Sequence, residues 1–277
     1  MSYKMVWLRL RKDMGALIGL FLVIVTIFVA IFAPFLAPHD PGTQSLAERR
    51  ARPSKEHLFG QDIYGRDMLS RIIYGSRTTL IAGVLCVLMS GIIGSFLGLC
   101  AGYYKGSIST IIMRTMDLMM SFPVFLLAIL IVSVLGPGLV NAVVAVAITT
   151  IPSYARVVRS SALTLKNTQY VEAARAMGAS NLAIMYDHIL PNSAASIIVM
   201  STTGVASAII STAALGFIGL GAQPPTAEWG LMLNEGRSFI TSDPHLCMIP
   251  GLAIVLLVLG FNLSGDGLRD ALDPRLK

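Results

Sequence analysis

Residues 170–191 read YVEAARAMGASNLAIMYDHILP. Long apolar runs precede and follow this stretch, yet it carries Glu172, Arg175, Asp187 and His188. Its local grammar is helix, turn, helix. Asn167 or Thr168 is suited to cap a first helix. Glu172 falls in the first turn, where negative charge complements the helix dipole. Val171, Ala174 and Met177 or Gly178 share one face, with Arg175 on another. Gly178 suits a left-handed C-terminal cap. Ser180 or Asn181 caps a second helix that is expected to run to about His188, because Pro191 biases Leu190 away from helix. Small residues on the first helix leave the backbone closely approachable. That surface fits a knob for a soluble partner's cleft, or a helix pair packed on its own bundle.

The surroundings are membrane-like. The 277 residues are 55% hydrophobic and 13% charged, with a mean hydropathy of +0.72, whereas soluble domains are about one quarter charged. Six apolar runs, at about 15–37, 79–101, 117–136, 139–157, 194–221 and 246–265, are long enough to span. The first follows Lys4, Arg9, Arg11 and Lys12 and exceeds the apolar core of a signal peptide, so it is read as an uncleaved first transmembrane helix. Gly136, Pro137 and Gly138 read as a tight turn between the third and fourth spans. Pro152 is expected to kink or end the fourth. Gly94, Gly98 and Gly102 recur at intervals of four and let another helix approach.

Orientation follows from the basic residues. With the N-terminus inside, Lys4, Arg9, Arg11, Lys12, Lys105, Arg114, Arg156, Arg159, Lys166, Arg175, Arg269, Arg275 and Lys277 lie inside; Arg49, Arg50, Arg52, Lys55, Arg66, Arg71, Arg77 and Arg237 lie outside, thirteen against eight. Both termini are therefore expected to be cytoplasmic, with residues 170–191 on the same side. Seven of the eight outer cations fall in 38–77, where Asp40, Glu48, Glu56, Asp62 and Asp67 partly balance them. The 38–57 part is polar and turn-rich. From Leu58 to Arg77, Met68, Leu69, Ile72 and Ile73 recur at helical spacing, which predicts a short amphipathic helix at the membrane surface or else a solvated connector.

Enzyme chemistry is missing from the sequence. It contains no Gly-Lys pair, and so no phosphate-binding loop of the Walker type, and no HExxH, CxxC or GxSxG. Cys86, Cys100 and Cys247 are far apart and read as free thiols. Asp117, Asp266 and Asp270 lie near the inner ends of spans, and Asp117 is spaced to pair with Arg114. Within the spans only neutral groups occur, such as Asn141, Thr149, Thr150 and Asn262, expected to bond between helices. Ion-coupled carriage and ion conduction are disfavoured on that ground. Met113, Met116, Met119 and Met120 recur at helical spacing, as packing residues or as soft ligands. No basic stretch has the pattern of a nucleic-acid site.

The pattern Glu172-Ala173-Ala174, three residues, Gly178, and later Ile189-Leu190-Pro191 resembles the EAA loop of ABC importer permeases. Ten residues separate Gly178 from Ile189, and Ile189 adjoins Leu190, where the family has nine and an I-x-L-P. FGQDIYGRDMLSRIIYGSRTTL, AALGFIGLGAQPPTAEWGLML and PGLAIVLLVLGFNLSGDGLRDALDPRLK are similar to the dipeptide/oligopeptide/nickel permeases, in the half with an extra N-terminal helix. The resemblance covers nearly the whole chain. It implies an all-α polytopic membrane protein of the type I importer permease fold. Residues 1–73 would form an N-terminal helix plus outer loop, 74–266 a core containing the loop 168–191, and 267–277 a cytoplasmic tail.

The resemblance further implies that Glu172, Ala173, Ala174, Ala176, Gly178 and Ala179 engage a cytoplasmic ATPase. Gly65, Arg66, Asp67, Pro224, Pro225, Glu228 and Trp229 would contact an external binding protein or form an outer gate, with a structural cap as the plain alternative for 222–230. A second permease, two ATPase subunits, an external binding protein and membrane lipid would be the partners. ATP and magnesium would be bound by the ATPases, with no cofactor in this chain. The implied cargo is a short peptide, with nickel or a metal chelate as the alternative within the family, and a self-sufficient carrier or channel as the alternative outside it. The implied location is the bacterial inner membrane.

Overall fold

Long apolar runs in a bilayer must satisfy their backbone internally, so they become helices. A computed structural model describes residues 3–272, with side chains from residue 7 onward. The side chain of Lys4, and Arg275, Lys277 and the rest of 273–277, lie outside the described residues. The helices are α1 (Tyr3–Leu10), α2 (Met14–Ile31), α3 (Ala33–Leu36), α4 (Met68–Tyr103), α5 (Ser107–Met120), α6 (Val124–Leu135), α7 (Leu139–Leu165), α8 (Gln169–Ala176), α9 (Asn181–Phe217), α10 (Trp229–Gly236) and α11 (His245–Leu272). Among the described residues the only β feature is a bridge between Gln61 and Asp67.

Five helices, α2, α4, α7, α9 and α11, are long and apolar enough to cross a membrane. The expected span at 117–136 is not one helix. It breaks at Ser121–Pro123, and α5 and α6 meet at 95°. Pro123 disfavours helix at Phe122, so α5 stops at Met120. The 12 residues of α6 cover only about 18 Å, short of a hydrocarbon core of about 30 Å. The short surface helix expected before residue 77 is instead the start of α4. Its 36 residues extend about 54 Å, so its ends project beyond any bilayer core. It runs unbroken across residues 73 and 74, as α11 does across 266 and 267.

Pro152 does not end its helix either: α7 continues to Leu165 with Pro152 buried inside it. The turn at 136–138 forms as expected. Gly136 and Gly138 have φ of 88° and 154°, and Asn141 donates to the carbonyls of Leu135 and Gly136 at 3.0 Å each. Thr149 and Thr150 bond within their own helix, both to Val146 O, and not between helices. Met116 is buried beside Ile151 and Ala155, with Met119 packed on that cluster, as gap-filling methionines do. All three cysteines are free.

The core is centred on α4 against α7. A Cβ on Gly94 would stand 2.8 Å from Ile151 O, one on Gly98 2.5 Å from Ala155 O, and one on Gly102 2.5 Å from the Cβ of Ala162. The glycine stripe is therefore the contact seam. Gly98→Val would force α4 off a backbone carbonyl that cannot yield, at about 1–3 kcal/mol or more. We expect it to lower the midpoint of thermal unfolding in detergent. Gly91→Ala should leave the midpoint nearly unchanged, because its Cβ would meet Tyr154 at an ordinary 3.5 Å. A second small-residue seam joins α2 to α11, where Gly19 faces Gly260 and Ser264, and Ala16 faces Gly267. It fastens the N-terminal helix to the last one.

The two ends of the bundle differ. Arg9 reaches Ala271 O, Lys166 Nζ donates to Gly102 O at 2.6 Å, and Tyr103 donates to Asn181 at 2.6 Å. Both described chain ends, the α4–α5 turn and α8 thus share one end. Segment 37–67, the α6–α7 turn and residues 218–244 share the other, joined by Gly138 N donating to Leu220 O and by Arg50–Asp243. Segment 38–67 is an ordered coil, not a bare connector. Arg50 N donates to Asp62 O, Gln61 N to Ala51 O and Met68 N to Gly60 O.

Candidate functional site

An eight-residue helix is marginal alone in water, so α8 depends on its ends and its buried face. The end is a Schellman motif: Ala179 N donates to Ala174 O and Gly178 N to Arg175 O, both at 3.0 Å. Gly178 sits at φ 87°, where a side chain is strained. Thr168 occupies the N-cap position, but its hydroxyl turns back to Leu165 O and does not cap. Ser180 caps the next helix, accepting from Ala183 N at 3.2 Å.

Val171 and Ala174 form the inner face, 0% and 4% exposed. Val171 joins an apolar cluster of Leu99, Val158, Ala162, Ile184, Met185 and Ile189, drawn from α4, α7 and α9. Fully burying a valine side chain contributes about 1.5–3 kcal/mol. The expectation that Met177 shares this face fails. The helix ends at Ala176, and Met177 is 83% exposed.

Glu172, Ala173, Arg175, Ala176, Met177 and Gly178 are exposed, and Ala179 is half-buried. Among the described residues no ion pair reaches Glu172. The result is a low ridge of small side chains with a carboxylate at its head, held rigidly from behind. Asp117 pairs not with Arg114 but with Arg156, at 2.7 Å in an exposed bridge tying α5 to α7.

The helix after Ser180 does not stop at Pro191. A π-helical stretch, Ile184–Ile189, widens the turn ahead of the proline ring, and Leu190 keeps helical angles of −59° and −47°. Asn192 donates to His188 O and Ser193 to Ile189 O, covering carbonyls near the break. The α8 knob is thereby continuous with α9. Such π stretches recur at functional positions in helices.

Above the knob, α7 and α9 enclose a groove of about 280 Å³. Thr149, Thr150, Ser153, Thr203, Ser207 and Ser211 supply its hydroxyls. Tyr154 lies at its wall and donates to Ser201 at 3.2 Å. No carboxylate, imidazole or thiol lines it. Sequence reasoning missed this groove; the signal was the run of hydroxyls at helical spacing on α9.

At the opposite end, most of the residues expected to contact a binding protein lie inside the chain. Arg66, Asp67, Glu228 and Trp229 are at most 3% exposed. Arg66 pairs with Asp62 at 2.5 Å and Glu235 at 2.8 Å. Arg71 meets the same two carboxylates at 3.3 Å each. Glu228 caps α10, accepting from Gly230 N and Leu231 N. Burial pushes its carboxyl up, with these N–H groups and the Thr79 hydroxyl working against that shift. Trp229 donates to Ile72 O over Gly75. Pro224 and Pro225 are exposed and Gly65 is buried against Ser45, so only the two prolines of the seven present surface.

The comparisons with known proteins agree with this anatomy. The family model described as "Binding-protein-dependent transport system inner membrane component" matches residues 94–277. The one described as "N-terminal TM domain of oligopeptide transport permease C" matches residues 3–53. The chain is 48% identical over 269 residues to the dipeptide transport system permease protein DppC of Alkalihalophilus pseudofirmus, covering 97% of this chain and 88% of that protein. It is 49% identical over 273 residues to the glutathione transport system permease protein GsiD of Pectobacterium atrosepticum, covering 98% and 90%.

Among solved structures, the MetNI methionine ABC transporter in an inward-facing conformation matches with a TM-score of 0.60 at 20% identity, over 74% of this chain and 98% of that one. An amino acid ABC transporter solved with histidines matches at 0.55 and 18%, over 73% and 94%. These likenesses show the fold, that of the type I ABC importer permeases. The chain belongs to the family of binding-protein-dependent transport system inner membrane components, and its N-terminal segment is that of the oligopeptide permease C type.

Proposed function

We propose that this chain is one of two permease subunits of an ATP-driven importer for short peptides handed over by an external binding protein. The exposed ridge of α8, braced on buried Val171 and Ala174, carries the reading. A membrane chain with no phosphate loop of its own needs a place for a partner's work to enter. In this reading Glu172, Ala173, Ala176 and Gly178 enter a cleft on an ATPase subunit, and Ala174 and Ala179 anchor them. Closure of two ATPases then tilts α8, and α9 carries the tilt to the groove. Both termini and α8 lie in the cytoplasm, and Pro224 and Pro225 face the binding protein.

A hydroxyl-lined groove suits a peptide, whose amides need hydrogen bonds and whose side chains vary. For a bare metal ion it offers only the single Met200 thioether, with no thiolate or imidazole to complete a ligand set. Two of the similar proteins carry dipeptide or glutathione in their names, which supports the same cargo class.

The test is reconstitution in liposomes. The chain alone should give no uptake of a labelled dipeptide. Uptake should need the second permease, the ATPases, the binding protein and ATP together. Uptake by the chain alone would make it a self-sufficient carrier and overturn the proposal.

A further inference from the structure

We propose that His39, His57 and Asp67 form a site for a divalent transition metal of the zinc class at the end of the bundle opposite α8. His39 follows α3, His57 lies in the ordered coil, and Asp67 caps α4. These points are separate in sequence, yet their ligand atoms all lie within 4.8 Å of one another. His57 Nδ1 is 2.9 Å and His39 Nδ1 3.8 Å from the same oxygen, Asp67 Oδ1. Ligands at 2.0–2.1 Å in tetrahedral array stand about 3.3 Å apart. The observed separations bracket that value, so small side-chain rotations complete three corners.

The donor atoms are placed for it. Asp67 is buried, and its Oδ2 is already fixed by Ser70 N at 2.7 Å, leaving Oδ1 for a metal. His39 Nδ1 is screened from solvent and makes no hydrogen bond, although its ring is partly exposed. Nothing else claims this lone pair.

Metal on His57 Nδ1 moves that ring's proton to Nε2, which lies 3.1 Å from Gln61 Nε2. A flip of the Gln61 amide then offers Oε1, an atom that now has no partner, in exchange for the bonds its Nε2 donates to Gly65 O at 3.2 Å and Glu48 Oε2 at 3.4 Å. Two imidazoles and one carboxylate select zinc, cobalt or nickel over magnesium or calcium, which want oxygen throughout. The fourth position faces solvent past His39, 37% exposed, and would take water. A metal there clips the coil of 39–57 to the head of α4. The site stands apart from the transport reading, and its test does not depend on uptake.

The experiment uses the full chain in nanodiscs, freed of metal by chelator. Cobalt is the spectroscopic probe and zinc the competitor. We expect one cobalt per chain with visible bands of a tetrahedral site, displaced by zinc, and a zinc-dependent rise in the unfolding midpoint. His39→Ala and His57→Ala should each weaken zinc about tenfold or more and abolish the rise. His39→Ala removes a partly exposed imidazole whose Nδ1 makes no hydrogen bond, and leaves the backbone bond from His39 N to Ser70 in place, so the variant should fold. His188→Ala, at the other end, should change nothing. Absence of bound metal in the wild type, or equal retention in His39→Ala, overturns the proposal.

Discussion

Glu172→Arg is expected to cut ATP-driven peptide uptake by tenfold or more (about 1.4 kcal/mol per decade) while the chain still inserts and folds. The separation of effects follows from where Glu172 lies. It is exposed, in the first turn of α8, and makes no ion pair among the described residues. Within the chain its loss removes only a dipole term of about 0.3–1 kcal/mol. In a desolvated cleft its loss would strand a partner's charge, at about 2–5 kcal/mol.

The interface effect is thus the larger, and uptake should fall before stability does. Glu172→Gln keeps the shape and removes the charge, so it should fall between wild type and Glu172→Arg. Val171→Ala acts by another route: it loosens the anchor, and should lower the unfolding midpoint as well as uptake. Uptake of labelled dipeptide, copurification of the ATPase and unfolding in detergent separate these cases. Normal uptake by Glu172→Arg would remove Glu172 from the coupling surface.

The prolines show which parts of the fold a sequence can carry. Pro123, Pro152, Pro191 and Pro250 each lie in or beside an apolar run. All remove a backbone donor in the same way. Yet Pro123 stands at a 95° bend, Pro152 and Pro250 lie inside unbroken helices, and Pro191 follows a π turn. What decides between these outcomes is tertiary: burial of Pro152 within the bundle, and Asn192 and Ser193 covering carbonyls around Pro191.

The α8 knob was legible because its determinants are local. Gly178 and Ser180 act on groups within five residues of themselves. The side of α8 that is buried was legible only in part, since Met177 is the C-cap within the Schellman turn, where the helical periodicity stops. The outer end was least legible. Arg66 and Glu235 meet across 169 positions, and nothing in either neighbourhood names the other. Charges counted as a solvated outer loop turn out to be its buried framework.

That framework carries the largest stability prediction. Glu235→Ala should destabilise the chain by about 3–5 kcal/mol, the usual effect of breaking a buried ion pair. Arg66 and Arg71 are 1% and 0% exposed, and Asp62 and Glu235 are 6% and 7% exposed. Two cations and two carboxylates balance. Removing Glu235 leaves two buried guanidinium groups sharing Asp62, with a net charge that water cannot reach. A domain's whole stability is about 5–15 kcal/mol, so the loss would show as a sharply lower unfolding midpoint and yield.

The comparison is Arg50→Ala, which breaks a bridge to Asp243 at 3.1 Å whose arginine is 36% exposed. Solvent screening reduces that pair to about 0–1 kcal/mol. Pairing the Glu235 change with Arg66→Met should recover part of the loss, because the stranded charge goes with its partner. If Glu235→Ala melts with Arg50→Ala, the four charges do not act as one buried unit. A partial rescue by Arg66→Met would instead tie the 62–71 turn to α10 through charge balance, and fix how the outer face holds its shape.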